Sequence, residues 1–317
     1  MEVLSKKTSE LSYLEKQQIC DLFLDVFGKT KSVMHFEQQF SNTCLGYSFH
    51  SYIVDNGKVV GINSVIPYLY NFMGEKKIFA LSVDTMTQKD HRSLPIFVKM
   101  ARTVYSFAEK NGVCAIYGFP NHISYKIFKK MLKWQDIGEL DFYMLPIRIS
   151  AFTTHSIVLD FVSNAICLCV NALVKRNVIF PGQSALKIEK INDDVFKKQR
   201  YSESHTVVKN EYFEYAYKQD VIKGARVVYL IDVAPFCKEA LEQAVNQLYV
   251  KFKQEADAII YIGKLNFSPR NIFRVPKKFE PKTVNMAGLV INNNCGITSD
   301  FFAMGNWNVN LSNMDVV

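Results

Sequence analysis

The sequence predicts an α/β (α+β) protein, with mixed, mainly antiparallel twisted sheets flanked by helices and organised as two units. Three observations carry that expectation. Residues 78–107 read as a strand, a polar turn and a helix whose first turn holds Pro95, a position where a missing N–H costs nothing. Asp55-Asn56-Gly57 between two apolar runs is a strong hairpin signal. Strand, long helix, strand then recurs at 225–233, 238–253 and 258–262.

With 317 residues the chain exceeds what one ordinary core needs, which points to two domains. Apolar residues make up 49% and charged residues 21%, the balance of a folded protein rather than a disordered one. The net charge is +8, but the cations are scattered in short groups such as Lys129-Lys130 and Lys277-Lys278. Scattered cations suit an anionic small ligand or a membrane-facing surface better than a nucleic acid, which wants a concentrated stripe. The seven cysteines contain no C-x-x-C pair, and Cys167-x-Cys169 sits in an apolar run. They read as reduced thiols of a cytoplasmic protein, with neither a metal site nor a disulfide framework expected. The N-terminus lacks the apolar stretch of a signal peptide.

Taken in order, 13–27 has helical apolar spacing and Gly28 as its C-cap. A second helical piece, 33–40, carries His35 and Glu37. Strands at 47–54 and 58–66 flank the Asn-Gly turn, and a further turn at 71–77 leads into the central strand, giving an antiparallel meander. Beyond the helix ending near Asn111-Gly112 come a buried strand (113–119), a break at Pro120-Asn121, a short basic helix (124–132) and a strand (137–144).

Residues 85–97, TMTQKDHRSLPIF, and 117–134, YGFPNHISYKIFKKMLKW, stand in this order with HFEQQFSN (35–42) and VDNGKVVG (54–61) before them. Together they resemble the GNAT superfamily of acyl-CoA-dependent acyltransferases, in particular a branch associated with polysaccharide biosynthesis. The likeness covers about residues 10–145. It implies acetyl-CoA or another acyl-CoA as co-substrate, held by Thr85, Met86 and Thr87 at the strand end. The loop and first helical turn (Arg92, Ser93, Leu94, Ile96) and the second motif (Asn121, Phe128) would complete that site. Tyr125, Asn121 and Asp84 are the implied catalytic candidates, and no metal is expected. It also implies direct transfer to an amine or hydroxyl of a small acceptor, an amino sugar or nucleotide sugar fitting best.

The chain departs from the family pattern where the chemistry is densest. Ser93 and Pro95 stand where glycines let backbone N–H groups approach a pyrophosphate, and Pro95 has no N–H. Phe128 replaces a tyrosine that often protonates the leaving thiolate, leaving Tyr125, one turn earlier, as its substitute. Each candidate also has a structural reading. Arg92 is a phosphate ligand or a solvated loop charge; Asn121 orients substrate or caps a helix; Tyr125 is an acid or a packed ring. His35, Glu37 and Asp84 compete as general base. A chain that keeps the fold and has lost acyl-CoA chemistry is the alternative.

The apolar segment 156–174 places Asp160, Asn164 and Asn171 on one helical face, which favours an amphipathic helix packed on a domain or lying at a membrane interface over a spanning one. Lys175-Arg176 and Pro181-Gly182 close it. The expected organisation is a GNAT-like domain over 1–150, a helical connector over 151–186 and a second, degenerate GNAT-like domain over 187–317. In the latter, 210–215 reads as a basic, aromatic helical region, and strands are expected at 286–291 and 308–311.

Overall fold

A computed structural model describes residues 2–153, 157–174 and 186–314. Lys175-Arg176 and Pro181-Gly182 lie outside them. In chain order the elements of the first half are β1 (Val3–Lys7), α1 (Tyr13–Phe27), α2 (Val33–Ser41), β2 (Phe49–Asp55), β3 (Lys58–Phe72), β4 (Glu75–Thr87), α3 (Leu94–Lys110), β5 (Ala115–Gly118), α4 (His122–Leu132) and β6 (Gln135–Pro146). Then follow α5 (Ile157–Ala172), β7 (Ile188–Lys190), α6 (Asp194–Arg200), β8 (His205–Lys209), β9 (Glu214–Ile222), β10 (Ala225–Ala234), α7 (Lys238–Phe252), β11 (Ala258–Gly263), β12 (Phe273–Arg274), β13 (Val284–Val290) and β14 (Trp307–Asn308).

Local chemistry accounts for the ends of the early elements. Ser12 and Glu15 form a reciprocal capping box at the start of α1, and Gly28 ends the helix in the left-handed region at φ 66°. The Asn56-Gly57 turn, with both residues at positive φ, joins β2 to β3 as a hairpin.

The described strands form one mixed sheet with the order β1-β2-β3-β4-β5-β13-β6-β11-β10-β9-β8, while β7 pairs with β3, β12 with β6 and β14 with β7. Most neighbours are antiparallel. The parallel pairs β4·β5 and β10·β11 are each joined by a long crossover helix, α3 and α7 respectively. Apolar residues alternate across β3: Ile62 and Ile66 face the core with α1 and α2, whereas Val65 faces α3 through Val98, Ala101 and Val104. A third cluster packs α7 on β9–β11. The long β6 joins the halves, its first part pairing with β13 and its second with β11.

Several expectations need correcting. Residues 210–213 are a turn leading into β9, not helix; Phe213, Tyr215 and Tyr217 are buried at strand spacing. The final strand is shorter than 308–311, because Asn310 caps a 3-10 turn at Leu311–Asn313. Two cysteines are not free thiols: Cys114 and Cys295 form a disulfide with Cα atoms 5.7 Å apart. The antiparallel partners β5 and β13 place them there, since Ala115 faces Val290, and the Ile291 and Asn292 N–H groups both donate to the Cys114 carbonyl. A bridge across 181 residues of sequence leaves no trace in cysteine spacing.

Candidate active site

The site forms where β4 and β5 part. Their parallel pairing stops at Leu81 opposite Tyr117, but β4 continues to Thr87. β5 itself ends at Gly118, and its other edge is taken along its whole length by β13, so an opening is left along the edge of β4 past Leu81. Its floor is aromatic: a Cβ added at Gly118 would meet the Trp134 ring at 3.3 Å and the Ser82 carbonyl at 3.5 Å. The buried Tyr105 hydroxyl faces the Ser82 hydroxyl and the Trp134 indole nitrogen, and none of these three atoms has a well-formed hydrogen bond.

On its other edge β4 carries a bulge. Ile62 pairs with Met86 and Ser64 with Val83, so Asn63 alone stands against both Asp84 and Thr85. Asp84 sits in the left-handed region at φ 45°, which turns its carboxylate out of the pleat. There it pairs with Lys31 at 2.6 Å, both side chains being largely buried. Lys31 also donates to Gln39 at 2.8 Å and stands 4.2 Å over the Phe23 ring. Asn63 is fully buried, and neither atom of its amide has a hydrogen-bond partner.

From the bulge the chain runs through Thr87 to α3. Ser93 is the N-cap, its hydroxyl accepting from the Ile96 N–H at 3.4 Å, and Pro95 lies in the first turn. Pro95 has no N–H and the Ile96 N–H is held by the cap, which leaves the amides of Ser93 and Leu94 to meet an anion. Arg92 turns back on the strand, its Nε donating to the Thr87 carbonyl at 3.0 Å while the side chain stays exposed. His91 ties this loop to the β2–β3 hairpin through Asp55 at 3.1 Å.

Just before α4, Asn121 accepts from the Ser124 N–H at 2.9 Å and from its hydroxyl at 3.1 Å, the geometry of a cap. The Tyr125 hydroxyl donates to Asp136, which Lys129 also holds. Burial and then Asp136 push the phenol above its ordinary value. Phe128 is buried between Phe97 and Trp134, with ring centroids 5.6 and 4.5 Å away.

Two cavities meet this frame. One of about 930 Å³ lies between α1, the Asp84 bulge and strands β9 and β10 of the second half. Lys29, Lys31, Arg200, Lys218 and Lys282 line it against the acids Asp84 and Asp220, so its charge is positive. The other, about 720 Å³, runs along α3 from Leu94 and Pro95 past Lys99 and Arg102 to Met131 of α4. Of the proposed bases only Asp84 reaches a cavity: Glu37 is held by Lys16 and Ser41, and His35 is exposed on α2. Sequence reasoning missed Asn63, Ser82 and Tyr105, because a buried polar residue in a strand or a helix looks like any other until its partner is known.

Residues 8–131 match the acetyltransferase (GNAT) domain family. No curated protein sequence matches the chain. Among solved structures it is similar to a GCN5-related N-acetyltransferase from Anabaena variabilis, at TM-score 0.59 and 9% identity over 92% of this chain and 73% of that one. A GCN5-related N-acetyltransferase from Kribbella flavida aligns at TM-score 0.57 and 10% identity over 92% and 72%. The Saccharomyces cerevisiae N-myristoyltransferase with bound myristoyl-CoA aligns at 0.52 and 10% over 90% and 82%. The fold is therefore that of these acyltransferases along almost the whole chain. The matched domain is that of an acyl-CoA-dependent N-acyltransferase.

Proposed function

We propose that this chain, whose first part is a GNAT acetyltransferase domain, moves an acyl group from acyl-CoA to an amine or hydroxyl of a small anionic acceptor. The observation that carries this is the β4 bulge, which presents backbone at the β4–β5 opening and the Asp84 carboxylate at the cationic cavity. Acyl-CoA supplies the activated thioester. In this reading Thr85, Met86 and Thr87 offer backbone groups to the pantetheine arm and the acyl carbonyl, where preorganised donors are worth most. Asp84, oriented by Lys31, takes the proton of the attacking acceptor. Tyr125 is the phenol assigned to the leaving thiolate, and its O–H must leave Asp136 to act. Arg92 and the amides of Ser93 and Leu94 hold the pyrophosphate end, with Ile96, Asn121 and Phe128 bounding it. Lys99 and Arg102 offer the groove along α3 the charge that the Pro95 backbone cannot.

Five cations against two acids in the larger cavity support an anionic acceptor, and a nucleotide sugar or amino sugar of surface polysaccharide synthesis is the proposed class. Acyl-CoA and nucleotide sugars place the reaction in the cytoplasm. The repeated strand–helix–strand cores β4-α3-β5 and β10-α7-β11 support a tandem arrangement, with 1–150 and 187–317 as the two units and 151–186 connecting them. A second reading, a binding protein that has lost acyl-CoA chemistry, is favoured by one specific feature: Ser93 and Pro95 have closed the phosphate loop that glycines would open. Calorimetric titration of acetyl-CoA separates the two. Micromolar binding abolished by Arg92→Glu supports the enzyme; no binding of acetyl-CoA or longer acyl-CoAs supports the second reading.

A further inference from the structure

Helix α5 is turned the opposite way from an ordinary packed helix. Its polar residues face the protein. Asp160 accepts from the Ser150 N–H at 3.0 Å and its hydroxyl at 2.7 Å, and the Ser163 hydroxyl donates to the Pro146 carbonyl. Asn171 donates to the Cys167 carbonyl at 2.8 Å and accepts from Asn271 at 3.1 Å. Every described residue that α5 exposes is apolar, including Phe161 at 76% exposure and Val158 at 71%, and Leu173 extends the face beyond its end. At 100° per residue those positions span about half the helix circumference. The single acid of the helix, Asp160, points inward, so nothing on the outer face repels an anion.

We propose that this face docks on an anionic lipid bilayer, α5 lying in the plane of the interface. Three features select that occupant. The surface is a convex half-cylinder rather than a groove, the shape by which interfacial helices enter the headgroup layer. The chain carries a net charge of +8, which anionic lipid attracts, and the outer face of the helix holds no acid to oppose it. A second copy is a poorer fit, because one helix offers a footprint of about 24 by 10 Å, well under the roughly 800 Å² per partner of a stable interface. Among the described residues no helix is long and apolar enough to cross a membrane, so the contact is peripheral. The inference holds whether or not the chain transfers acyl groups.

The test is co-sedimentation of the full chain with vesicles of phosphatidylcholine alone and of phosphatidylcholine mixed equally with phosphatidylglycerol. Phe161→Ser/Leu168→Ser is the variant, and Val221→Ser, at an exposed valine of β9, is the control. The wild type and the control should bind the anionic vesicles, with binding to the neutral ones weaker. The double variant should lose about tenfold or more, its thermal unfolding midpoint unchanged because both side chains point outward. The proposal is overturned if the wild type sediments with neither vesicle or the double variant binds as the wild type does. A dimer in light scattering that the double variant splits would overturn it too, assigning the face to a second copy.

Discussion

Asn63 stands opposite the β4 bulge with a fully buried amide that no protein group satisfies, unlike its buried neighbour Ser64, which has His50 as a partner. An unpaired buried polar group costs about 1–3 kcal/mol, whereas a shape-matched apolar residue costs nothing there. Asn63→Val should therefore raise the free energy of unfolding by about 1–2 kcal/mol in urea titrations. A loss of stability would mean that the amide has a partner after all, such as a buried water. His50 is the opposite case. Its ring is fully buried and satisfied on both nitrogens, by Thr8 at 2.9 Å and Ser64 at 2.8 Å. Burial first, then Lys16 and Lys31, push it down to about 3, and burial likewise pushes His205 down to about 4. Both values lie below the ordinary 6.5, so between them the unfolded chain binds more protons than the folded one. Stability is then fully present above about pH 6.5 and falls as the pH drops, by at most about 1.4 kcal/mol per pH unit for each histidine. Urea midpoints at about pH 7 and pH 5 should show the fall, and His50→Gln should roughly halve it. An unchanged slope in that variant would mean that His50 is not buried as a neutral base.

At the scale of elements, the start of α3 shows a conflict between stability and ligand binding. The Ser93 cap and Pro95 both favour the helix, and both withdraw N–H groups from an incoming pyrophosphate. Ser93→Gly/Pro95→Gly should cost about 1 kcal/mol of stability while tightening acetyl-CoA binding severalfold by calorimetry. Weaker binding would show that the anion is held by Arg92, Lys99 and Arg102 without help from the backbone. The strand–turn–helix frame, the Asn-Gly hairpin and the crossover helix α7 were all legible in the sequence, because their turn chemistry and periodicity are local. Other elements were not. β1 offers only a few alternating residues, and its apolar side chains are half exposed. The rings around the start of β9 mimicked a helix because exposed Tyr212 stands beside buried Phe213 and Tyr215 before the strand settles into its period. Helix α5 was visible as amphipathic, but periodicity alone cannot say which face turns inward, and here it is the polar one. At the site, the strand–turn–helix frame could be read from local pattern, while the residues assigned to it came from the family resemblance. The Asp84–Lys31 pair could not, since 53 residues separate the partners and a bulge brings them together.

For the molecule as a whole, the position of β13 decides how separable the two halves are. Two independent domains would each close their own sheet. Here β13, from near the C-terminal end of the described chain, fills the gap between β5 and β6 of the first half. It also brings Cys295 to Cys114. Without β13, a fragment of residues 1–150 would expose one edge of β5 and most of β6, long unpaired edges that invite association. Both edges are lined by buried residues, among them Ile116, Leu140 and Phe142. That fragment should aggregate or stay unfolded by circular dichroism, whereas the full chain should unfold in one transition. A soluble, folded fragment would show that β13 is an accessory strand. The disulfide gives the same argument a chemical readout: of seven cysteines, five are free, so the protein denatured without reductant should titrate five thiols. Seven thiols would mean that the bridge does not form in the purified protein. Hydrogen bonding in β5–β13–β6 would then be what holds the C-terminal segment in the first sheet.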